Sequence, residues 1–194
     1  MVTEIELKAH VGDSEALKKI LSLKAELKGA FEKSDVYWFG PETSAFQVTK
    51  IRVRREKLSF ADGTGKSLCL VTYKAKEESN GIETNEELEF EVNPAEEFEE
   101  FLKKAGLKPG PGKRKHGWVF RKNEITAELV EVDSLGWFIE TEILVDAEDK
   151  SEETLAEAKK AILAFHDSLG IEREAIEGRF YLDMLSSADQ RTDN

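Results

Sequence analysis

The sequence contains a single cysteine, Cys69, which sits in the short apolar run 68–71. One thiol cannot form an internal disulfide, and an apolar setting predicts a buried, unreactive side chain. No apolar run approaches the roughly 18 residues that a membrane-spanning helix needs. The N-terminal residues lead directly into a charged strand, without a basic and then apolar leader. Together these absences predict a cytoplasmic protein with no membrane partner.

Basic residues are also in short supply, because 28 lysines and arginines face 40 aspartates and glutamates and give a net charge of −12. Binding to nucleic acid or to a membrane surface rewards a basic protein, so we expect neither partner. The three histidines have no metal-ligand spacing. The tripeptide Gly65-Lys66-Ser67 imitates the end of a phosphate-binding P-loop, but Phe60 occupies the position of the first glycine, so a hairpin turn is expected instead.

What the sequence does contain is strict alternation of charged and apolar residues in Glu4-Ile5-Glu6-Leu7-Lys8. Successive side chains of a β-strand point to opposite faces, so the three charged residues share one face. Two carboxylates about 7 Å apart beside an ammonium group suit a metal ion that carries an anion. For one isolated strand, however, a solvated face of an edge strand is the favoured explanation of the pattern.

Similar β-rich segments recur along the chain and are separated by turn signals, including Pro109-Gly110-Pro111-Gly112. The predicted strands cover 2–10, 34–40, 47–57, 67–75, 85–92, 113–122, 124–132 and 136–145. Three amphipathic helices are predicted, beginning after Asp13 or Ser14, after Asn93 with Pro94 at the first helical position, and after Ser151. We expect one domain over 1–185 and a disordered tail over 186–194.

Each predicted helix has an apolar stripe that must be buried. The stripe of the first helix comprises Leu17, Ile20, Leu21 and Leu27. The second helix ends at Gly106, and its stripe comprises Phe98, Phe101 and Leu102. The third helix ends near Gly170, and its stripe comprises Leu155, Ala158, Ile162 and Phe165. The apolar faces of the strands are the available surface for these stripes. The charged faces of the strands must then point away from the helices.

The signs of these charged faces are segregated, because some strands are acidic and others are basic. Lys50, Arg52 and Arg54 alternate on one strand, Lys74 lies on the next, and a basic cluster at 113–116 opens another. Like charges two residues apart repel unless opposite charges compensate them. This favours a sheet closed into a barrel with a polar interior, where acidic and basic strands face each other. Composition alone still permits an open sheet.

Six ordered motifs resemble the CYTH superfamily, whose members are also called triphosphate tunnel metalloenzymes. They are the ExExK motif at 4–8, the Asp-x-Tyr strand at 34–37, the Arg-x-Arg strand at 51–54, the Tyr-Lys strand at 72–74, the acidic strand at 87–92 and the LGxFxExE strand at 135–142. The resemblance spans residues 2–185. It implies an α+β fold, in which an eight-stranded antiparallel closed β-barrel forms a triphosphate tunnel and helices pack on its outside.

The resemblance also implies roles for individual residues. The predicted metal ligands for Mg²⁺ or Mn²⁺ are Glu4, Glu6, Glu140 and Glu142, and the predicted catalytic residues are Glu4, Glu6, Lys8 and Glu140. The predicted substrate-binding residues are Lys8, Arg52, Arg54, Lys74, Lys113, Arg114, Lys115 and Glu128. Two features depart from the family pattern. Val130 replaces a common aspartate, whose role Glu128 would take, and the basic strand has two registers, either Lys113 with Lys115 or Arg114 with His116.

This constellation predicts a metal-dependent enzyme acting on a triphosphate. Asp35-x-Tyr37, the strand at 135–142 and the ending at 180–185 resemble the class IV adenylate cyclase branch, which converts ATP to cyclic AMP and pyrophosphate. The alternative enzyme is a triphosphatase acting on inorganic triphosphate, thiamine triphosphate or a nucleoside triphosphate. A polyphosphate or nucleotide sensor without turnover is the non-enzymatic alternative. A homodimer is left open.

Overall fold

The computed structural model describes residues 2–40, 50–79, 82–146, 149 and 151–192. For 50, 74–79, 83, 86, 87 and 188–192 it describes the backbone alone. Within these ranges the chain forms eight strands and four α-helices. No described helix is long and apolar enough to cross a membrane.

The eight strands form one antiparallel sheet. They are β1 (Val2–His10), β2 (Glu26–Phe39), β3 (Lys50–Phe60), β4 (Gly65–Ser79), β5 (Ile82–Glu91), β6 (Lys108–Lys122), β7 (Ile125–Val132) and β8 (Gly136–Asp146). Their order is β1-β5-β4-β3-β2-β6-β7-β8, and β8 pairs with β1, which closes the sheet into a barrel. The antiparallel α+β architecture predicted from the sequence is therefore confirmed.

Strands β2, β4, β5 and β6 begin earlier than the sequence predicted, and the differences are largest in β2 and β6. Strand β2 starts at Glu26, so Leu27 belongs to a strand rather than to the face of the first helix. Strand β6 includes Pro109–Gly112, which the sequence analysis assigned to a turn. A register shift opposite this segment, between Val36 and Trp38 of β2, places an additional β6 residue in the ladder. Such a bulge tolerates prolines that a regular ladder excludes.

The main apolar core lies outside the barrel, under two helices. Helix α1 (Ser14–Lys24) is capped by the Asp13 side chain, which accepts a hydrogen bond from the Ala16 amide at 2.9 Å. Helix α3 (Glu152–Leu169) begins after the Ser151 cap and ends at Gly170 in the left-handed conformation. Both helices occupy the predicted positions. Their apolar stripes pack on outward-facing strand residues such as Ile5, Leu7 and Leu129, which are fully buried.

Helix α2 (Ala95–Lys104) covers a smaller core that contains Leu102. Its N-cap is Pro94, whereas the sequence predicted Asn93 as the N-cap and Pro94 as the first helical residue, and no side chain caps it. Phe101 was predicted to be buried but is 62% exposed, because Leu102 takes the inward position. Cys69 is buried in this core, as the surrounding apolar run predicted.

The sequence did not predict helix α4 (Tyr181–Thr192), which covers part of the tail expected to be disordered from Ser186. Its first turn does not lie on the outer surface with the other helices. Tyr181 and Met184 pack against residues on the inward faces of their strands, namely Phe31, Val130, Val132 and Phe138. This apolar cluster fills one end of the barrel interior and leaves the remainder as a polar cavity.

Candidate functional site

The polar cavity inside the barrel has a volume of about 360 Å³ and is lined by residues from every strand, most of them charged or polar. Its described lining includes seven glutamates (Glu4, Glu6, Glu56, Glu89, Glu128, Glu140 and Glu142) and six basic residues (Lys8, Lys33, Arg52, Arg54, Lys113 and Lys115). The alternation in the sequence brings these side chains inward while their neighbours pack outside. Among the described lining residues both signs of charge are present, and basic residues do not outnumber acidic ones.

Three acidic side chains, Glu4, Glu6 and Glu142, gather on neighbouring strands. Glu6 and Glu142 are direct partners across β1 and β8, and the Asn85 amide donates a hydrogen bond to Glu4 at 3.2 Å. Burial, reinforced by the charges of Glu4, Glu128 and Glu6, raises the pKa of Glu142 well above its usual value. The three side chains thus place hard oxygen donors on two adjacent strands, β1 and β8.

The donor chemistry of these three glutamates fits a hard divalent cation such as Mg²⁺ or Mn²⁺. In the described part of the chain, however, no three acidic, histidine or cysteine side chains already form a metal-binding group. The fit consequently rests on the donor type and on the place of the three carboxyl groups on two adjacent strands, β1 and β8, and not on a ready coordination geometry.

Glu140, the fourth predicted metal ligand, also lies in the cavity but is paired with a cation. Its carboxylate accepts a hydrogen bond from Lys115 Nζ at 2.5 Å. Burial would raise the pKa of Glu140, but the Lys115 ammonium lowers it far below the usual range. Lys115 also lies 3.3 Å from Glu128. The structure therefore shows Glu140 as the partner of a lysine, and its role as a metal ligand stays a prediction.

Asp35 organises the opposite wall of the cavity. Its two carboxylate oxygens accept hydrogen bonds from Arg54 Nε and a terminal Arg54 nitrogen at 2.7 and 2.9 Å, and Lys113 Nζ lies 3.4 Å away. Burial would raise the pKa of Asp35, but the Arg54 and Lys113 charges hold it well below the usual range. The bidentate pair fixes the guanidinium plane of Arg54 in the cavity wall.

Lys113 further donates a hydrogen bond to the Tyr37 hydroxyl at 3.1 Å. Burial opposes ionisation of that phenol, yet the Lys113 charge lowers the pKa of Tyr37 overall. Arg52 is less enclosed than Arg54, and it donates to the Thr72 hydroxyl at 2.9 Å and lies 3.4 Å from Glu89. Arg52 and Lys113 therefore stand at the cavity surface with donors directed inward.

Sequence reasoning missed two buried charged residues, Lys33 and Glu56. Lys33 Nζ lies 2.5 Å from Glu128 and 3.4 Å from Glu56. A usable signal was present, because Lys33 is two residues before Asp35 and Glu56 is two residues after Arg54, which places each on an inward face. This network holds Glu128 between two lysines, Lys33 and Lys115, and lowers its pKa despite burial.

Lys8 is buried and already engaged by the C-terminal segment. Its Nζ donates a hydrogen bond to the Arg179 carbonyl at 2.7 Å and lies 4.5 Å from the centre of the Tyr181 ring. The Tyr181 hydroxyl has a pKa raised well above its usual value by burial and by the Glu140 carboxylate. The sequence analysis identified Lys8 but not the segment that positions it.

Glu177 fixes this C-terminal segment to the end of β1. Its carboxylate accepts hydrogen bonds from the Arg179 amide at 2.9 Å and from the Arg179 guanidinium at 2.6 and 3.0 Å. It also lies 3.2 Å from His10. The Arg179 hydrogen bonds lower the pKa of Glu177 to about 2, so the carboxylate is ionised at neutral pH.

The structure also decides the register of the basic strand. Lys113 and Lys115 face the cavity, whereas Arg114 and His116 line a groove on the outer surface. Arg114 was predicted to bind substrate but does not line the cavity, because it has the opposite parity to its two lysine neighbours. Val130 packs in the apolar cluster next to α4, and the side chain of Lys74 lies outside the described residues.

Part of the cavity lining is apolar and was not predicted. Leu70, Leu144, Phe180 and Leu182 all contribute to it. Leu144 and Phe180 remain 55% and 40% exposed, respectively. Large apolar side chains that remain exposed beside a charged cavity offer a surface for an uncharged organic group.

Comparison with known proteins places this geometry in a family. Residues 3–181 match the CYTH domain. Over 186 residues, the chain is 28% identical to a Methanocaldococcus jannaschii protein that carries the provisional name adenylate cyclase MJ0240, covering 93% of this chain and 97% of the relative.

Solved structures show the same fold. The PH1012 protein of Pyrococcus horikoshii OT3 is 30% identical with a TM-score of 0.72, over 93% of this chain and 98% of that one. HpAC1 of Hippeastrum, provisionally named an adenylyl cyclase and described as having a dominant triphosphatase activity, is 19% identical with a TM-score of 0.67, over 96% of both chains. With the domain match spanning nearly the whole barrel, the chain belongs to the CYTH domain family.

Proposed function

We propose that this protein is a metal-dependent enzyme that acts on a nucleoside triphosphate inside the barrel, and that its reaction is the class IV adenylate cyclase reaction. The observation that carries the proposal is the meeting, in one cavity, of the Glu4, Glu6 and Glu142 group with Arg52, Arg54, Lys113 and Lys115. CYTH-domain proteins generally depend on metal ions and bind triphosphates, and the metal and the residues that bind it here are part of the proposal.

The charge balance of the cavity explains why a metal would be needed. Six basic residues face seven glutamates in the described lining, and most of the cations are already paired. A free polyphosphate would gain little from such a site, because the carboxylates repel it. Mg²⁺ or Mn²⁺ held by Glu4, Glu6 and Glu142 would supply compensating positive charge and polarise phosphate oxygens.

The basic residues of the chain would bind and orient the triphosphate. Arg52 would donate hydrogen bonds to phosphate oxygens after giving up its contact with Glu89. Arg54 and Lys113 are held in place by Asp35. Fixed donors of this kind stabilise charge that develops on the leaving oxygen without having to reorganise. In the cyclase reaction the ribose 3′-hydroxyl releases its proton to solvent and its oxygen bonds to the α-phosphorus. The bond from that phosphorus to the α,β-bridging oxygen breaks, and pyrophosphate leaves with the electron pair.

The apolar lining supports a nucleotide rather than inorganic triphosphate as the substrate. Leu144 and Phe180 would contact the base or ribose, whereas a bare triphosphate would leave both side chains in water. The provisional name of the M. jannaschii relative favours a cyclase. The triphosphatase activity ascribed to HpAC1 keeps a triphosphatase, acting on inorganic triphosphate, thiamine triphosphate or a nucleoside triphosphate, as the second candidate.

A product assay tests the proposal directly. Purified protein with MgATP or MnATP should form cyclic AMP and pyrophosphate in equal amounts. ADP and phosphate as the products would reject the cyclase and support the triphosphatase. Faster turnover of inorganic triphosphate than of ATP would contradict the role given to the apolar lining.

Amide substitutions test the role of the acidic group. Glu4→Gln and Glu6→Gln should each lower kcat by about 10²-fold or more, whereas Glu15→Gln, an exposed change of the same chemistry on α1, should not. Loss of turnover with retention of nucleotide binding fits an enzyme. If the intact protein binds ATP without any turnover, the sensor is the correct alternative.

A further inference from the structure

A buried amide side chain, Asn85 of β5, lies beside the acidic group formed by Glu4, Glu6 and Glu142. Asn85 is fully buried and is the direct cross-strand partner of Glu4 in the pairing of β5 with β1. Strand β1 pairs with β8 on its other side, so Glu4 is flanked by Asn85 on one strand and by Glu142 on the other. Asn85 is not among the described lining residues of the cavity. It therefore adjoins the predicted metal ligands without contacting the space that a substrate would occupy.

The hydrogen bond of Asn85 is directed at Glu4. Its Nδ2 donates to Glu4 Oε2 at 3.2 Å, whereas its buried Oδ1 has no hydrogen-bond partner in the described part of the chain. The amide cannot be turned over, because Oδ1 would then face the carboxylate oxygen and the two acceptors would repel each other. Burial of an unpaired acceptor is unfavourable. An apolar side chain would avoid that cost, so the contact with Glu4 is the reason for an amide at this position.

The lack of charge on this donor is as informative as its place. A cation beside a glutamate holds the carboxylate but compensates its negative charge, as Lys115 does for Glu140 in the same cavity. A neutral amide holds one oxygen of Glu4 and leaves the negative charge available. Asn85 thus orients the carboxylate without competing with a cation for it.

An oriented carboxylate binds a metal ion more tightly than a mobile one. A glutamate side chain that is free to rotate must be ordered when the ion binds, which costs conformational entropy. Hydrogen-bonding partners of metal ligands remove part of this cost, because they fix the ligand before the ion arrives. The Asn85 amide is placed to do this for Glu4.

We propose that Asn85 is a positioning residue for the divalent metal ion, and that its amide holds the Glu4 carboxylate in the orientation that binds the ion. The inference rests on the proposed function, because it requires Glu4 to be a metal ligand. It does not depend on the reaction, and it applies equally to a cyclase and to a triphosphatase.

Titration of the full chain with MnCl₂ in the absence of nucleotide tests the inference. The electron paramagnetic resonance signal of free Mn²⁺ measures binding. Asn85→Leu should raise the Mn²⁺ dissociation constant about 10- to 100-fold, because it removes the donor to Glu4. Thr84→Val, which changes the adjacent residue on the outer face of β5, should leave the dissociation constant unchanged. Circular dichroism checks the fold, and if Asn85→Leu does not fold, Asn85→Ala removes the same amide without adding bulk.

A double-mutant cycle distinguishes positioning of Glu4 from a general loss of structure. Glu4→Gln alone should weaken Mn²⁺ binding, and Asn85→Leu added to it should raise the dissociation constant less than about 2-fold further, because Asn85 acts through Glu4. Full additional loss in the double variant would overturn the inference. Equal Mn²⁺ binding by wild type and Asn85→Leu would overturn it as well, while the metal-dependent function would stand. A wild type that binds no Mn²⁺ would overturn both.

Discussion

Asp35 is the residue on which the cationic wall of the cavity depends. It is almost fully buried and accepts two hydrogen bonds from Arg54, while Lys113 lies 3.4 Å away. Removing one partner of a buried ion pair leaves the other charge without compensation in a medium of low dielectric constant. Asp35 therefore both stabilises the folded protein and holds Arg54 in position in the cavity wall.

We predict that Asp35→Asn lowers the free energy of unfolding by about 3–5 kcal/mol at pH 7, measured by urea denaturation. The folded-state pKa of Asp35 lies well below the unfolded value, so its stabilisation is complete above about pH 4 and is lost as the pH falls below it. The difference between wild type and variant should narrow in that acidic range. Glu32→Gln, on the same strand but exposed, should change stability by less than about 0.5 kcal/mol.

His166 gives a second pH-dependent contribution, outside the cavity. It lies on the buried face of α3, its Nε2 lies 2.8 Å from the Thr141 hydroxyl, and burial lowers its pKa to about 4 from 6.5. Its other ring nitrogen, Nδ1, has no hydrogen-bond partner among the described residues. The native state therefore holds the imidazole neutral where the unfolded chain would protonate it.

Stability contributed by this neutral imidazole is present above pH 6.5 and is lost as the pH falls towards 4. We predict that His166→Gln flattens the loss of unfolding free energy over this window relative to wild type, measured by urea denaturation at several pH values. The matched control is His116→Gln, which changes an exposed histidine near Glu131. Parallel pH profiles for wild type and His166→Gln would show that His166 does not titrate as described.

At the scale of elements, the segment between α3 and α4 connects the helical layer with the cavity. Ile176 forms a bridge with Ala9, the Glu177 amide donates to the Lys8 carbonyl at 2.8 Å, and Glu177 then clamps Arg179. The next residues, Phe180 to Leu182, line the cavity. One carboxylate thus determines where the beginning of α4 meets the barrel.

We predict that Glu177→Gln increases amide hydrogen exchange in 178–182 by about 10-fold, because it removes charge-assisted hydrogen bonds that stabilise the local fold. Exchange in β1 before Lys8 should change less. Glu172→Gln, an exposed change nearby, serves as the control. Unchanged protection in 178–182 after the Glu177 substitution would mean that packing of Tyr181, and not the clamp, holds the segment.

At the scale of the whole molecule, ligand binding should stabilise the barrel, because the ligand would cross-link strands that are far apart in sequence. A non-hydrolysable ATP analogue with Mg²⁺ at 100 times its Kd should add about 2.7 kcal/mol to the unfolding free energy. AMP at the same concentration should add much less, because it lacks the phosphates that reach the basic wall. Thermal unfolding monitored by fluorescence measures both. Equal stabilisation by AMP, or stabilisation that persists in EDTA, would contradict the charge balance described above.

Short-range patterns in the sequence were sufficient to predict the strand faces and helix caps that depend only on neighbouring residues. The alternation in β1 predicted the inward face of Glu4, Glu6 and Lys8, because side-chain direction in a strand depends on parity alone. The caps of α1 and α3 were predictable because each lies next to the helix it begins or ends. The register of β6 was not, since both parities of 113–116 carry basic residues.

Only the tertiary structure decided which charges meet. Lys115 pairs with Glu140, Lys33 with Glu128 and Arg54 with Asp35. The partner of an inward side chain depends on the strand order and stagger of the closed sheet, which no short segment encodes. The placement of α4 was decided in the same way, because its apolar residues are buried only once the barrel interior exists to receive them. The sequence by itself determined which face of each strand carries charge; closure of the barrel determined what each charge binds, because electrostatic partners are chosen by distance in space and not along the chain.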